Sequence, residues 1–307
     1  MVGEDVALLV VLPAETGRTD AGRKSGRAAR SVTMVGMSAP KDVYTHGHAE
    51  SVLRSHRWRT AENSAGYLLP RLDEGAQILD VGCGPGTITI DLARRAARGT
   101  VVGLDRSEAV IGEARASAQQ AGVANVEFSV GDVYALDHEA DTFDVVHAHQ
   151  VLQHLSDPVA ALREMGRVCR PEGLIAVRDS DYSAFTWWPA VPELDDWLDL
   201  YRNVARGNDA EPDAGRRLKS WALAADLEVA ASTASVWCFS SPDDVAWWGR
   251  MWAERIVDSD MADQAIDRDL VTREDLHRLA QGWRRWAASA DAWFVLVHGE
   301  LLCSPTP

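Results

Sequence analysis

Ile78-Leu79-Asp80-Val81-Gly82-Cys83-Gly84-Pro85-Gly86-Thr87 decides how this chain folds. A short apolar run meets three glycines, each separated from the next by one residue, and a helix-like stretch follows. The pattern predicts a strand over 78–81 and a helix over 87–97, with Ile88, Leu92 and Ala96 on one face. Glycines at such a junction let the backbone approach a ligand closely. The helix start behind them offers unpaired N–H groups and positive potential. A tight structural turn would read similarly, and so would a dinucleotide-binding loop. The dinucleotide fingerprint needs its third glycine at position 87, which is Thr87, and the acid Asp80 ahead of the loop is atypical of it.

Downstream, Val101-Val102-Gly103-Leu104-Asp105 sets an acid at the end of a second predicted strand, 100–104. A carboxylate has two oxygens for two ribose hydroxyls, although Asp105 is also placed to cap the next helix. Gly131-Asp132-Val133 follows a third strand, 126–130. An acid there suits an exocyclic amine, and Gly-Asp is also a common turn. Helices at 108–121 and 158–170 and strands at 143–148 and 174–177 complete the alternation, with Asp157 as cap and Pro158 in the first turn. Strand and helix alternating at this spacing predict a doubly wound, mostly parallel sheet.

Asp and Glu number 46 against 31 Lys and Arg, a net charge of −15. Such a surface repels phosphate backbones and anionic membranes, so no nucleic acid is expected, and a neutral or cationic small molecule fits better. The four cysteines, Cys83, Cys169, Cys238 and Cys303, are scattered. They point to neither a disulfide framework nor a zinc site, and to a cytoplasmic setting. The apolar run 6–13 is too short to span a bilayer, and Glu4 and Asp5 stand where a signal peptide carries positive charge. Residues 1–36 are polar and Gly-rich over 17–27 and read as a disordered tail or as an extension ahead of a start at Met37.

The loop, Asp105 and Asp132 together resemble the class I S-adenosylmethionine methyltransferases, specifically the broad small-molecule group that includes the ubiquinone/menaquinone type. The resemblance runs over about residues 67–178. It takes in Phe143-Asp144-Val145-Val146, Val151-Leu152-Gln153-His154-Leu155 and Arg167-Val168-Cys169-Arg170-Pro171-Glu172-Gly173, where Glu172 replaces the family's first Gly. It implies S-adenosylmethionine as cofactor and a seven-stranded Rossmann-like methyltransferase fold. It further implies that Asp80, Gly82, Cys83 and Gly84 lie at the methionine moiety and Asp105 at the ribose. Arg106, where many relatives carry an apolar residue, would border the adenine, with Asp132 and Val133 at its ring. His149 would stand near the methyl donor, and Tyr44 belongs to a segment that such enzymes fold over the site.

The implied activity is methyl transfer to an oxygen, nitrogen or carbon of a small molecule by in-line displacement. The competing readings are a nicotinamide-dependent oxidoreductase and a catalytically silent binding protein that keeps the fold. His154 and Asp179 are the candidate bases, against helix-start packing and loop capping. Tyr182, Trp187 and Trp188 are the candidate acceptor contacts, with Trp247-Trp248 a further possible wall. His46-Gly47-His48 lacks matching third and fourth ligands, so no metal is expected.

Eleven of the twelve tryptophans follow Ser183. Helices are predicted at 194–205 and 215–225, a strand at 228–239 and a final strand at 292–302. Between those last strands lie about 50 residues, too many for a hairpin loop. Their stripes of Val245, Trp248, Trp252 and Ile256, and of Leu276, Leu279, Trp283 and Trp286, predict packed helices. The expected organisation is a helical lid over 37–72, a methyltransferase core over 73–241 with a helical insertion at about 183–225, a helical cap over 242–290, and the last core strand and tail over 291–307. The cap is alternatively the surface of a homodimer.

Overall fold

The computed structural model describes residues 42–45 and 56–306. The expected tail over 1–36 and the His46-Gly47-His48 stretch lie outside the described residues. Five parallel strands form one half of the sheet: β1 (Gln77–Val81), β2 (Thr100–Asp105), β3 (Val126–Val130), β4 (Phe143–His149) and β5 (Cys169–Ser180). Three more strands, β6 (Thr186–Trp188), β7 (Leu227–Phe239) and β8 (Trp293–Pro305), build the antiparallel half, in which β8 pairs with β5, β6 and β7. The strand order is β3-β2-β1-β4-β5-β8-β6, with β7 also on β8. The sheet therefore has eight strands. The one beyond the expected seven is β6, three residues that give no periodicity signal.

Before β1 comes α1 (Ala61–Ser64); between strands run α2 (Thr87–Arg95), α3 (Glu108–Ala121), α4 (Pro158–Val168), α5 (Pro192–Arg206) and α6 (Leu218–Ala224). Then come α7 (Pro242–Arg255), α8 (Asp260–Asp267) and α9 (Arg273–Ala287), all lying between β7 and β8. Side-chain caps start several of them: Asp157 accepts from the Ala160 amide at 2.9 Å and Ser241 from the Asp244 amide at 3.2 Å.

Leu79, Val81, Val146 and Ala148 face Leu162 and Met165 on one side of the sheet. Ile78, Val101, Val145 and Ala176 face Leu68 and Leu92 on the other. A third core is aromatic. Trp197 meets Trp252 at 4.5 Å and Trp283 at 4.8 Å between ring centroids, and Phe294 of β8 packs beneath them. This core joins α5, α7 and α9 to the first residues of β8. Because β8 runs antiparallel to β5, those residues lie at the end of the sheet where the parallel strands finish. The cap therefore stands beside the crevice where the strand order reverses between β1 and β4, the usual ligand position in such sheets.

Candidate active site

The glycine loop is a left-handed cradle. Gly82, Gly84 and Gly86 have φ of 67°, 56° and 82°, which a residue with a Cβ adopts only at a cost. At Gly82 a Cβ would also stand 2.4 Å from Val151 Cγ2. Asp105 braces the loop: its Oδ2 accepts from the Gly84 amide at 3.1 Å and its Oδ1 from the Ser107 amide at 3.0 Å. Each oxygen keeps a lone pair for a further donor. Asp80 is buried under the loop. It accepts from the Thr89 hydroxyl at 2.5 Å and pairs with His147 Nδ1 at 2.7 Å. Asp80 thus ties β1 to α2 and β4. Cys83 is buried between the glycines, and burial pushes its thiol well above the usual range.

Beyond the loop, Asp132 follows β3 and accepts from the Tyr134 amide at 3.0 Å. Val133 is buried behind it. Arg106 follows β2 and donates from its guanidinium to the Asp42 carbonyl at 2.7 Å.

Across the reversal the site is made of side chains. The strand register places Asp80 beside His147, His149 beside Arg178, Arg178 beside Glu300 and Glu300 beside Thr233. A polar row thus crosses β1, β4, β5, β8 and β7, stepping two residues along β4 from His147, which itself pairs with Ala176, to His149. Arg178 pairs with Glu300 at 3.4 Å and donates to Ser235 at 3.1 Å. Gln150, at φ 54°, accepts from Arg59 at 2.6 Å and donates to Ser180 at 2.9 Å. Its amide nitrogen also lies 2.9 Å from His298 Nε2. His149 is 5% exposed, and neither ring nitrogen has a hydrogen-bond partner among the described residues. Burial, then the Arg178 charge, holds its imidazole well below the ordinary range.

The methyltransferase domain family matches residues 72–232. The chain belongs to it. This is the family of class I methyltransferases, whose methyl donor is S-adenosylmethionine. An uncharacterised methyltransferase of Schizosaccharomyces pombe is 33% identical, over 87% of this chain and 98% of its own length. A protein named probable methyltransferase from Aspergillus luteorubrus is 29% identical, over 84% and 96%. The solved YcgJ protein of Bacillus subtilis shares the fold at a TM-score of 0.51 and 19% identity, covering 80% of this chain and all of its own.

In this methyltransferase, the expected acceptor residues do not all meet. Tyr44 stands edge-on to His154 at 4.8 Å between centroids, and its hydroxyl lies 3.2 Å from His56 Nε2. Burial lowers the His154 pKa to about 3. Asp179 is fully buried, and its Oδ1 accepts from the Gln153 amide at 3.1 Å, inside the turn after β4. Burial raises its pKa to about 7, against the pull of the turn amides. Tyr182 stacks on Tyr201 at 4.1 Å, and burial lifts its hydroxyl to about 12. Trp187 stacks on Phe294 at 5.6 Å. Trp188 is 57% exposed, and its Nε1 donates to Asp291 at 2.8 Å, away from the polar row.

Other residues close the site. Trp58 packs against Trp237 at 5.1 Å, Phe239 at 5.5 Å and Trp247 at 5.7 Å. Trp237 in turn lies 4.4 Å from His298 and 5.6 Å from His149. Arg59, Gln150, Trp237 and His298 come from four separate segments, which sequence spacing does not connect. One signal was available: Arg178, His298 and Glu300 are polar residues interrupting otherwise apolar strands, where nothing polar is buried without a reason.

Proposed function

We propose that this methyltransferase binds S-adenosylmethionine across the loop from Gly82 to Gly86 and transfers its methyl group to an oxygen, nitrogen or carbon of a small molecule. The observation that carries this is the left-handed glycine cradle held by Asp105 at the start of α2. Its amides and glycine Cα atoms suit the methionine end, and the free lone pairs of Asp105 suit the ribose hydroxyls. Asp132 and Val133, with the stem of Arg106, suit the adenine. Asp80, with both oxygens engaged below the loop, sets the loop's shape, and Cys83 fills the space beneath it. Tyr44 and His149 border the methionine end from the acceptor side.

When bound, the sulfonium supplies an already activated methyl group, so the chain's main task is alignment and exclusion of water. The aromatic wall of Trp58, Trp237 and Trp247 excludes water. Tyr182 and Trp187 position the cap beside the crevice, and Trp188 stands at its outer margin. His154 is held neutral. Asp179, whose carboxyl burial raises to about 7, is the candidate base for an acceptor that must lose a proton.

The test is calorimetric titration of the protein with S-adenosylmethionine, S-adenosylhomocysteine and NAD. Micromolar binding of the first two without NAD is expected, and NAD binding alone overturns the reading in favour of an oxidoreductase. Asp105→Ala should weaken S-adenosylhomocysteine binding by about 1–3 kcal/mol, the cost of leaving ribose hydroxyls unpaired. Unchanged affinity would move the ribose elsewhere.

A further inference from the structure

Arg59 differs from the other guanidiniums near the crevice. Arg178 pairs with Glu300, Arg202 with Asp213 and Arg216 with Asp181. Among the described residues no carboxylate pairs with Arg59. Its one hydrogen bond there is to the neutral Gln150 amide, and its buried Nε has no partner. The guanidinium carbon lies 5.9 Å from the Trp237 ring centroid. Beside it are His149, with two unpartnered ring nitrogens, and His298, with an unpartnered Nδ1. The site touches the cofactor loop through the next residue along: Gln150 precedes Val151, whose Cγ2 occupies the space a Gly82 side chain would need.

A guanidinium partly withdrawn from water without a counter-charge is costly, and this chain avoids that cost at Arg178, Arg202 and Arg216. The groups facing Arg59 do not supply the charge. Tyr44 and Tyr182 hold their protons, and burial keeps Asp179 largely protonated below about pH 7. The local field is therefore positive in a chain of net charge −15.

We propose that the methyl acceptor presents an anionic oxygen, a carboxylate or a phenolate, to the Arg59 guanidinium beside His149, Trp237 and His298. The planar fork of Arg matches a carboxylate and grips a phenolate through one arm. The inference rests on the proposed function and narrows its acceptor. An oxygen that arrives as an anion needs no base: its lone pair forms the O–C bond as the C–S bond breaks with its electron pair left on sulfur. An amine would arrive as a cation and be repelled by Arg59. The negative surface favours neutral or cationic ligands at long range, and the site reverses that preference at contact.

The experiment saturates the enzyme with S-adenosylhomocysteine and titrates it by calorimetry with benzoate and 4-nitrophenolate, then with benzamide and benzylamine. The anions should bind at least about tenfold more tightly than the neutral and cationic probes. Arg59→Met should remove that preference with S-adenosylhomocysteine affinity unchanged, which also reports that the variant is folded. Arg59→Lys, which keeps the charge and loses the fork, should retain part of it and hold 4-nitrophenolate better than benzoate. Mass spectrometry of turnover with S-adenosylmethionine separates a methyl ester from a methyl ether. Equal or tighter binding of benzamide or benzylamine, no anion binding at millimolar concentration, or an Arg59→Met variant that keeps the preference each overturns the inference. Failure of S-adenosylhomocysteine to bind the wild-type protein overturns instead the reading beneath it.

Discussion

The two halves of the crevice are built from different materials. On the β1–β3 side the backbone makes the site: three left-handed glycines, a helix start and two acids at strand ends. On the β4–β8 side the site is side chains brought together from Arg59, Gln150, Trp237 and His298, under a cap of packed tryptophans. The first half needs a short contiguous stretch and tolerates little change. The second needs the whole fold to be in place, and its residues are free to be exchanged without disturbing the first. A fixed donor site beside an exchangeable acceptor wall is what such a division permits.

If the halves are separable, damage to the cap should spare the loop. Trp283 is fully buried among Trp197, Trp252 and Phe294. Trp283→Ala should cost about 3–5 kcal/mol of stability, read by denaturant unfolding, while S-adenosylhomocysteine affinity at low temperature stays near wild type. A collapse of that affinity would show the cap to be part of the cofactor site.

The converse change belongs to the loop. Gly82→Ala forces a Cβ into left-handed backbone and against Val151. The strain and crowding together should cost about 2–3 kcal/mol and abolish measurable cofactor binding, with the aromatic near-UV circular dichroism of the cap preserved. Wild-type cofactor affinity in this variant would remove the loop from the site.

What the sequence made legible follows the same division. The strand-to-glycine-to-helix passage and Asp105 are close along the chain, so their spacing carries their geometry. The tryptophan stripes at 245–256 and 276–286 likewise announced packed helices, since a helix repeats its buried face every three or four residues. The short β6 and α8 (Asp260–Asp267) went unseen because three residues show no period and α8 is one turn of apolar contacts among acids. The polar row from Asp80 to Thr233 depends on strand register between β1, β4, β5, β8 and β7. Register is a long-range property, fixed by how hydrophobic faces align, and no local pattern states it. Trp188 shows the opposite limit: its residue type fitted a pocket wall, but the edge strand β6 leaves it 57% exposed.

The smallest effect tests the charge of the side-chain half. Asp179 is buried with a pKa near 7, so in the folded protein it stays protonated where the unfolded chain has already lost that proton. Its contribution to stability is therefore present at low pH and is lost as pH rises through 7. His149 and His298 act with the opposite sign. Both are neutral when folded, so their contribution is present above the ordinary histidine range and is lost as pH falls below it. His154, also held neutral by burial, acts with the same sign, so over pH 6 to 8 the three histidines oppose the Asp179 trend in the wild-type protein. Asp179→Asn removes the Asp179 trend and keeps an acceptor for the Gln153 amide. Relative to wild type, the variant should gain about 1 kcal/mol in stability between pH 6 and pH 8, read by thermal melts without ligand. The same pH trend in both proteins would mean that Asp179 is ionised throughout, and that Arg59 already has its counter-charge.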